Sequence, residues 1–231
     1  MTTESANTPL FAENEWFREL PPAVVAQLIQ LATLRHYGNG DLIHAKGDAA
    51  DGLYGIRRGQ VRISNVGSDG QEILVAVFEP GGWWGEISMF DGLPRTHDAH
   101  AIGDCEIVLL PQQRFQALLQ QQPDLYPHFV KMLCRKLRLA FSHIDDIAFL
   151  PLPERVAKQL LTLAEIHGED TSGGRRIRLH LPQEDLGRML GASRQSVSKI
   201  LKRFEAQGWI AVAYGQITVC DVPALREAMG S

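Results

Sequence analysis

Cysteine is scarce in this chain. Cys105, Cys134 and Cys220 stand far apart, odd in number and with no C-x-x-C pair. That spacing makes neither a disulfide framework nor a zinc site, and a reducing cytoplasm is the expected compartment. No uncharged apolar run approaches the roughly 20 residues of a membrane helix, so no membrane partner is expected. Met1 to Pro9 hold neither a basic stretch nor an apolar core, and a secretory leader is not expected either. Neither sign of charge dominates: the net charge is −4, with 22% charged and 45% hydrophobic residues. These are the proportions of a folded globular chain rather than a disordered or collagen-like one.

What is present is unevenly spread. The 231 residues suffice for one large domain or two ordinary ones, at roughly 100–200 residues each. Residues 1–150 carry 12 lysines and arginines against 18 aspartates and glutamates, while residues 151–231 carry 11 against 9. An acidic front and a mildly basic back suit two parts with different partners. Ordinary scatter of composition explains the same split.

Glycine is dense between Gly38 and Gly92. Between the glycines lie short β-favouring runs: Leu42–His44, Leu53–Ile56, Val61–Ile63 and Ile73–Phe78. Ser68–Asp69–Gly70 reads as a hairpin turn, and Cys105–Leu110 as a last strand before Pro111. Short, closely spaced strands predict an antiparallel barrel or jelly roll.

Helices follow. Gln112 to Gln122 is a short amphipathic stretch. From Asp124 to Ile147, Tyr126, Val130, Leu133, Leu137, Ala140, Ile144 and Ile147 recur at alternating spacings of 4 and 3. That is the repeat of a coiled-coil seam. Phe129, Met132 and Leu139 form a second stripe beside it. One stripe could face the helix's own domain and the other a second copy of the chain; a single wide stripe in one core is the alternative. Phe149–Leu150–Pro151–Leu152–Pro153 breaks the chain, because each proline disfavours helix in the residue before it. Glu154 to His167 reads as a helix, Gly168 to Gly174 as a polar loop, and Ile177, Leu179 and Leu181 as an alternating strand.

The stretch from Gln183 to Ala206 reads QEDLGRMLGASRQSVSKILKRFEA. A short helix to Leu190 meets a turn at Gly191–Ala192–Ser193. The glycine is fitted to end one helix, and Ser193 to cap the next. Val197, Ile200, Leu201 and Phe204 would be buried. Arg194, Gln195, Ser196, Ser198, Lys199, Lys202 and Arg203 then form a polar, cationic face. A helix lying in a major groove needs hydrogen-bonding tips at its start and phosphate-neutralising charge around it. Trp209 to Val219, with a turn at Tyr214–Gly215, reads as a β-hairpin wing. A helical hairpin with a solvated basic face is the alternative.

Residues 82–101 read GWWGEISMFDGLPRTHDAHA. Gly85 lets backbone approach a ligand, and the turn it opens presents free N–H groups. Arg95 offers a planar, permanent cation, and Glu86 an acceptor for a sugar hydroxyl. A buried Arg95–Glu86 structural pair would account for the same residues. His97 and His100 invite a cupin-type metal enzyme, but no matched acidic and histidine ligands follow. No metal centre and no catalysis are expected.

Three segments in order carry a resemblance: KGDAADGLYGIRRGQVRI (Lys46 to Ile63), GEISMFDGLPRT (Gly85 to Thr96), and the long helix followed by GASRQSVSKILKRFE. Together, from about Phe17 to Val222, the chain resembles the Crp/Fnr family of bacterial transcription regulators. The resemblance implies an α+β chain in three parts. Residues 1–122 would form a cyclic-nucleotide-binding β-roll, 123–148 a dimerisation helix, and 149–231 a winged helix-turn-helix. It implies a homodimer through residues 124–147 on a palindromic double-stranded operator, with RNA polymerase a further partner. Cyclic AMP or a related nucleotide would be the effector. Glu86 would hold the ribose and Arg95 the cyclic phosphate, with Gly85, Ile87, Ser88 and Thr96 around them. Base reading would fall on Arg194, Gln195 and Lys199, beside Ser193, Ser196 and Lys202.

The departures from that pattern are specific. His97 stands where the cassette commonly has alanine. The long-helix positions that hydrogen-bond adenine in the cyclic-AMP receptor fall on Ala140 and Phe141, and neither side chain can do so. Gln195 and Lys199 replace a glutamate and an arginine, which implies a related but different operator. Pro182 replaces the usual threonine cap, and Glu184 and Asp185 partly compensate at the positive helix end. No cysteine precedes Cys105, so the N-terminal iron–sulfur ligands of Fnr-type sensors are missing. His97 and His100 are haem-ligand candidates by residue type alone.

Overall fold

The computed structural model describes residues 10–11, 14–67, 70, 72–179, 182–213 and 215–229. It divides into two compact units, Met1–Leu137 and Arg138–Ser231. Ser68, Asp69, Leu181 and Tyr214, on which the two predicted hairpin turns and one strand residue fall, lie outside the described residues.

The first unit opens with helix α1 (Pro22–Leu31) and strands β1 (Thr33–Tyr37) and β2 (Leu42–His44). Two long strands dominate it, β3 (Gly52–Val66) and β6 (Asp98–Pro111), flanked by β4 (Glu72–Phe78) and the two-residue β5 (Trp83–Trp84). All pairings are antiparallel, in the order β1-β6-β3-β4, with β2 on β6 and β5 on β3. The two runs Leu53–Ile56 and Val61–Ile63 belong to one strand. The register slips between Ile56 and Gln60, where Gly59 takes φ +85°. A bulge residue of that conformation breaks apolar alternation without ending the strand.

Aromatic side chains fill this unit. Trp83 lies 4.9 Å from Phe11 and 4.8 Å from Phe17, ring centre to ring centre. Phe115 of helix α3 (Gln112–Gln121) lies 5.2 Å from Phe129. A second cluster, around Tyr54, Ile56, Trp84 and Ile107, closes the other end of the roll. Between β5 and β6 sits the short helix α2 (Glu86–Asp91).

After a 3-10 turn at Pro123–Leu125, helix α4 runs from Tyr126 to Phe149. Phe129 and Met132 are buried. Of the predicted seam, Val130, Leu137, Ile144 and Ile147 are 52–58% exposed. The predicted second stripe stops at Met132, because Leu139 is 70% exposed. A buried face that ends while an apolar one stays open is unusual for a solvated helix.

The second unit adds helix α5 (Leu152–His167). The predicted chain break is therefore narrower than Phe149–Pro153. Pro151 stands at the N-cap and Pro153 lies in the first turn, where a missing N–H costs nothing. Lys158 donates to Asp146 at 2.6 Å, and Arg155 to the Leu190 carbonyl at 3.0 Å.

The predicted loop after His167 is instead strand β7 (Gly168–Thr171), paired with β8 (Gly174–Ile177). Polar residues hold it through cross-strand charge: Arg175 reaches Asp170 at 3.1 Å and Arg176 reaches Glu169 at 2.7 Å. Helices α6 (Gln183–Leu190) and α7 (Arg194–Ala206) follow, then the hairpin β9 (Ile210–Ala213) and β10 (Gln216–Val219), then α8 (Val222–Glu227). The second sheet runs β7-β8-β10-β9. Val197, Leu201 and Phe204 are buried as expected, while Ile200 is only partly covered.

Phe204 is fully buried, 5.2 Å from Trp209. Phe204→Ala is expected to cost about 3–5 kcal/mol in chemical denaturation followed by circular dichroism. A loss below about 1 kcal/mol would mean the side chain does not hold the helix pair on the wing.

Candidate effector cavity and nucleic-acid interface

The first unit encloses a cavity of about 180 Å³. One wall is apolar, made by Ile63, Val75, Ala76, Phe78 and Trp84. The rest of the lining includes Gly85, Glu86, Ile87, Ser88, Arg95, Thr96, His97 and Lys136. All six cassette residues predicted from the sequence thus line one space. Ala140 and Phe141 are exposed and lie in the second unit.

Arg95 is 3% exposed. Its Nη2 donates to Asp51 Oδ1 at 2.8 Å and to the Gly52 carbonyl at 2.7 Å, and its Nη1 to the Gly85 carbonyl at 3.2 Å. Its Nε has no partner among the described residues. The guanidinium lies 5.1 Å from the centre of the Tyr54 ring. Asp51 Oδ1 also accepts from the Tyr54 hydroxyl at 2.7 Å, and Oδ2 from Arg35 at 3.0 Å. Burial alone would raise the Asp51 carboxyl, but the hydrogen bonds from Tyr54 and Arg95 hold it below the usual carboxylate range. Burial and the same Asp51 contact push the Tyr54 phenol above its ordinary range.

The predicted alternative of an Arg95–Glu86 pair is replaced by two others. Glu86, 6% exposed, accepts from Lys136 Nζ at 2.7 Å, and that ammonium lies 4.3 Å from the Trp16 ring centre. Arg95 takes Asp51 instead. Sequence reading missed both partners, since Lys136 falls outside the seam and Asp51 was assigned no role.

The backbone explains Gly85. It stands at φ +95°, and a Cβ there would lie 2.6 Å from Arg95 Nη1 and 3.0 Å from the Gly52 carbonyl. Ser88 turns its hydroxyl onto the Pro94 carbonyl at 3.1 Å, which closes the cassette on itself. Thr96 is exposed and its Oγ1 lies 2.8 Å from His97 Nδ1.

His44 stands in the same wall. Its Nε2 accepts from Trp84 Nε1 at 3.0 Å. Burial, with the nearby Arg95 second, lowers its pKa from 6.5 to about 4. Of the two histidines considered as metal ligands, His97 lines the cavity and His100 does not. No group of three metal-binding side chains occurs among the described residues.

In the second unit, Ser193 caps α7 as expected, accepting from the Ser196 N–H at 3.1 Å. Gly191 ends α6 at φ +60°. Gly187 was not singled out in the sequence, yet a Cβ there would meet the Ala192 carbonyl at 2.7 Å. Its bare backbone keeps the turn between the helices tight. Pro182 gives α6 no side-chain cap, and Glu184 and Asp185 occupy the first turn, both paired with Arg188. Arg194, Gln195, Lys199 and Lys202 are exposed, and Ser196 is half-buried. Arg194, Lys199, Lys202 and Arg203 form no ion pair among the described residues. With Gln183 and Ser198, Arg194, Gln195 and Lys199 line an open concavity at the helix start. Unpaired cations around a polar helix start are what a phosphate-flanked groove takes.

A cavity in a β-roll lined by a glycine turn, a carboxylate and a buried arginine, with a cationic helix on a winged helical pair, defines a DNA-binding regulator of the effector-responsive class. Residues 34–122 match the family model of the cyclic nucleotide-binding domain, and residues 154–228 that of the Crp-like helix-turn-helix domain. The chain is 32% identical over 205 residues to the CRP-like cAMP-activated global transcriptional regulator of Mycobacterium tuberculosis, covering 89% of this chain and 92% of that one. It is 32% identical over 179 residues to the cAMP-activated global transcriptional regulator CRP of Pasteurella multocida, covering 77% and 84%. A solved transcriptional regulator of the CRP/FNR family from Thermus thermophilus superposes with a TM-score of 0.69 at 27% identity, over 86% of this chain and 99% of that one. The chain belongs to the Crp/Fnr family of transcription regulators.

The His44 contact generates a pH prediction. The imidazole is harder to protonate in the folded chain, so its contribution is complete above about 6.5 and is lost as pH falls toward about 4. Stability against urea should fall over that window, and His44→Gln should flatten the fall. An unchanged slope in His44→Gln would assign the acid sensitivity to other groups.

Proposed function

We propose that this regulator is a homodimer whose affinity for a palindromic operator is set by a cyclic nucleotide, cyclic AMP in the first instance. The observation that carries the reading is the cavity that Gly85, Glu86, Ile87, Ser88, Arg95 and Thr96 line together with apolar side chains. Glu86 would accept from the ribose hydroxyl and Arg95, Thr96 and the Gly85 turn would hold the phosphodiester. The exposed seam of α4 supports dimerisation through residues 124–147, because an open apolar stripe of that length gains by meeting a copy of itself. Residues 1–122, 123–148 and 149–231 then serve as effector, dimerisation and DNA-reading parts.

Ser193, Arg194, Gln195, Ser196, Lys199 and Lys202 would meet the operator, with Gln195 suited to adenine. RNA polymerase would be the further partner. The protein would work in the cytoplasm, without metal, iron–sulfur cluster or catalysed reaction. One observation favours a second reading. The side chains of Ala140 and Phe141 offer no hydrogen bond to a purine, so a different nucleotide would fit the same sugar–phosphate end.

The test is a titration of labelled operator at fixed salt, with and without cyclic AMP and competing cyclic nucleotides. Tighter binding with cyclic AMP is expected; operator affinity indifferent to every cyclic nucleotide removes the effector half of the reading. Arg95→Lys keeps the charge and loses the fork, and should weaken cyclic AMP at least about tenfold while the folded signal persists. Arg194→Ala should cost about 1–3 kcal/mol of base discrimination. A uniform loss across unrelated sequences would make Arg194 a phosphate contact.

A further inference from the structure

The cassette holds one side chain whose place in the cavity is unexplained. His97 follows Arg95 and Thr96 and lines the same space as Glu86, Ser88 and Lys136. It is half-buried. Its Nδ1 lies against Thr96 Oγ1 at 2.8 Å, and its Nε2 has no hydrogen bond among the described residues. The cations beside it are largely committed. Both Nη atoms of Arg95 are hydrogen-bonded to Asp51, Gly52 and Gly85, which leaves its Nε without a partner, and Lys136 is held by Glu86. An anion entering here therefore finds part of the guanidinium still open, and the imidazole is a second donor that can be recruited beside it.

We propose that His97 is an effector-binding residue that takes up a proton as an anionic nucleotide enters the cavity, so that effector affinity rises as the medium becomes more acidic. This rests on the cyclic-nucleotide reading given above. Charged groups from several elements surround His97, and Lys136 of α4 and Arg95 line the same cavity. Lys46, in the loop before β3, anchors its N–H on Asp98 Oδ1 at 2.7 Å and its ammonium on Asn65 at 3.0 Å. Asp98 opens β6, and Glu86 opens α2. Burial, then Lys46, holds the imidazole below its ordinary range, against the weaker pull of Asp98 and Glu86.

A phosphodiester stays anionic across the physiological range, and an anion beside an imidazole favours the charged form. Linkage fixes the sign: a group whose pKa rises on binding binds a proton with the ligand, and affinity falls as pH rises through the bound-state value. His44, in the same wall, titrates near 4 and lies outside that window. The local bond to Thr96 orients the ring, so the next residue after the phosphate-binding pair becomes a titratable extension of it.

The experiment is calorimetric titration of the full chain with 3′,5′-cyclic AMP between about pH 6 and about pH 8, in buffer pairs of different ionisation enthalpy. The wild type should take up a fraction of a proton per site near the lower end and lose about fivefold in affinity across the range. His97→Asn keeps a hydrogen-bonding amide that does not titrate, and His97→Ala removes the group. Both should bind with little pH dependence and little proton uptake. Wild-type binding without proton uptake overturns the proposal while leaving the cyclic-nucleotide reading in place. A wild-type pH slope retained in both variants also overturns it, since another group then takes the proton. Failure of the wild type to bind cyclic AMP at any pH brings down both.

Discussion

The effector unit is organised around one buried charge. A guanidinium out of water is expensive unless it is paired and its hydrogens are satisfied. Arg95 meets that demand by drawing together the start of β3 at Gly52, the turn at Gly85 and the carboxylate of Asp51. The strand, the cassette turn and the loop before β3 are therefore tied at one point. Tyr54 completes the arrangement by stacking on the guanidinium and donating to the same carboxylate. Gly85 has room for no side chain because the guanidinium stands where a Cβ would be. Apolar burial holds the roll together, but this ion pair fixes where its polar wall lies.

The second unit relies on a different constraint. The net charge of −4 opposes a polyanionic partner on average, so the attraction must be local. Ser193 starts α7 with its own hydroxyl, Gly187 lets the preceding turn close, and the cations Arg194, Lys199, Lys202 and Arg203 form no ion pair among the described residues. In α6 the opposite holds, with Arg188 neutralising Glu184 and Asp185. Charge is satisfied on one helix and left open on the next, and this difference is what turns a helical hairpin into a nucleic-acid surface.

The parts legible in the sequence are those whose causes are local. Capping at Ser193, the helix stop at Gly191 and the glycine-spaced strands all depend on a few neighbouring residues, and the cassette residues were read as a contiguous string. What escaped depends on distance along the chain. Asp51 meets Arg95 across 44 residues and Lys136 meets Glu86 across 50, separations that no pattern in the text encodes. Strand β7 was hidden because Gly168, Glu169 and Asp170 have poor strand character by themselves, and their partners appear only once β8 folds back. The bulge at Gly59 split one strand into two runs, since apolar alternation is lost where the register slips.

Trp84 has a further implication. Its indole lies 5.1 Å from the Tyr54 ring and 6.0 Å from Phe78, nearly parallel to both, and shares its N–H with His44. It is also part of the wall that a bound molecule would touch. Filling the space would change the polarity and collisional quenching around a fluorophore already built into the lining. Against the steady emission of Trp16, Trp83 and Trp209, Trp84 would then give occupancy an optical reading without dye or tag.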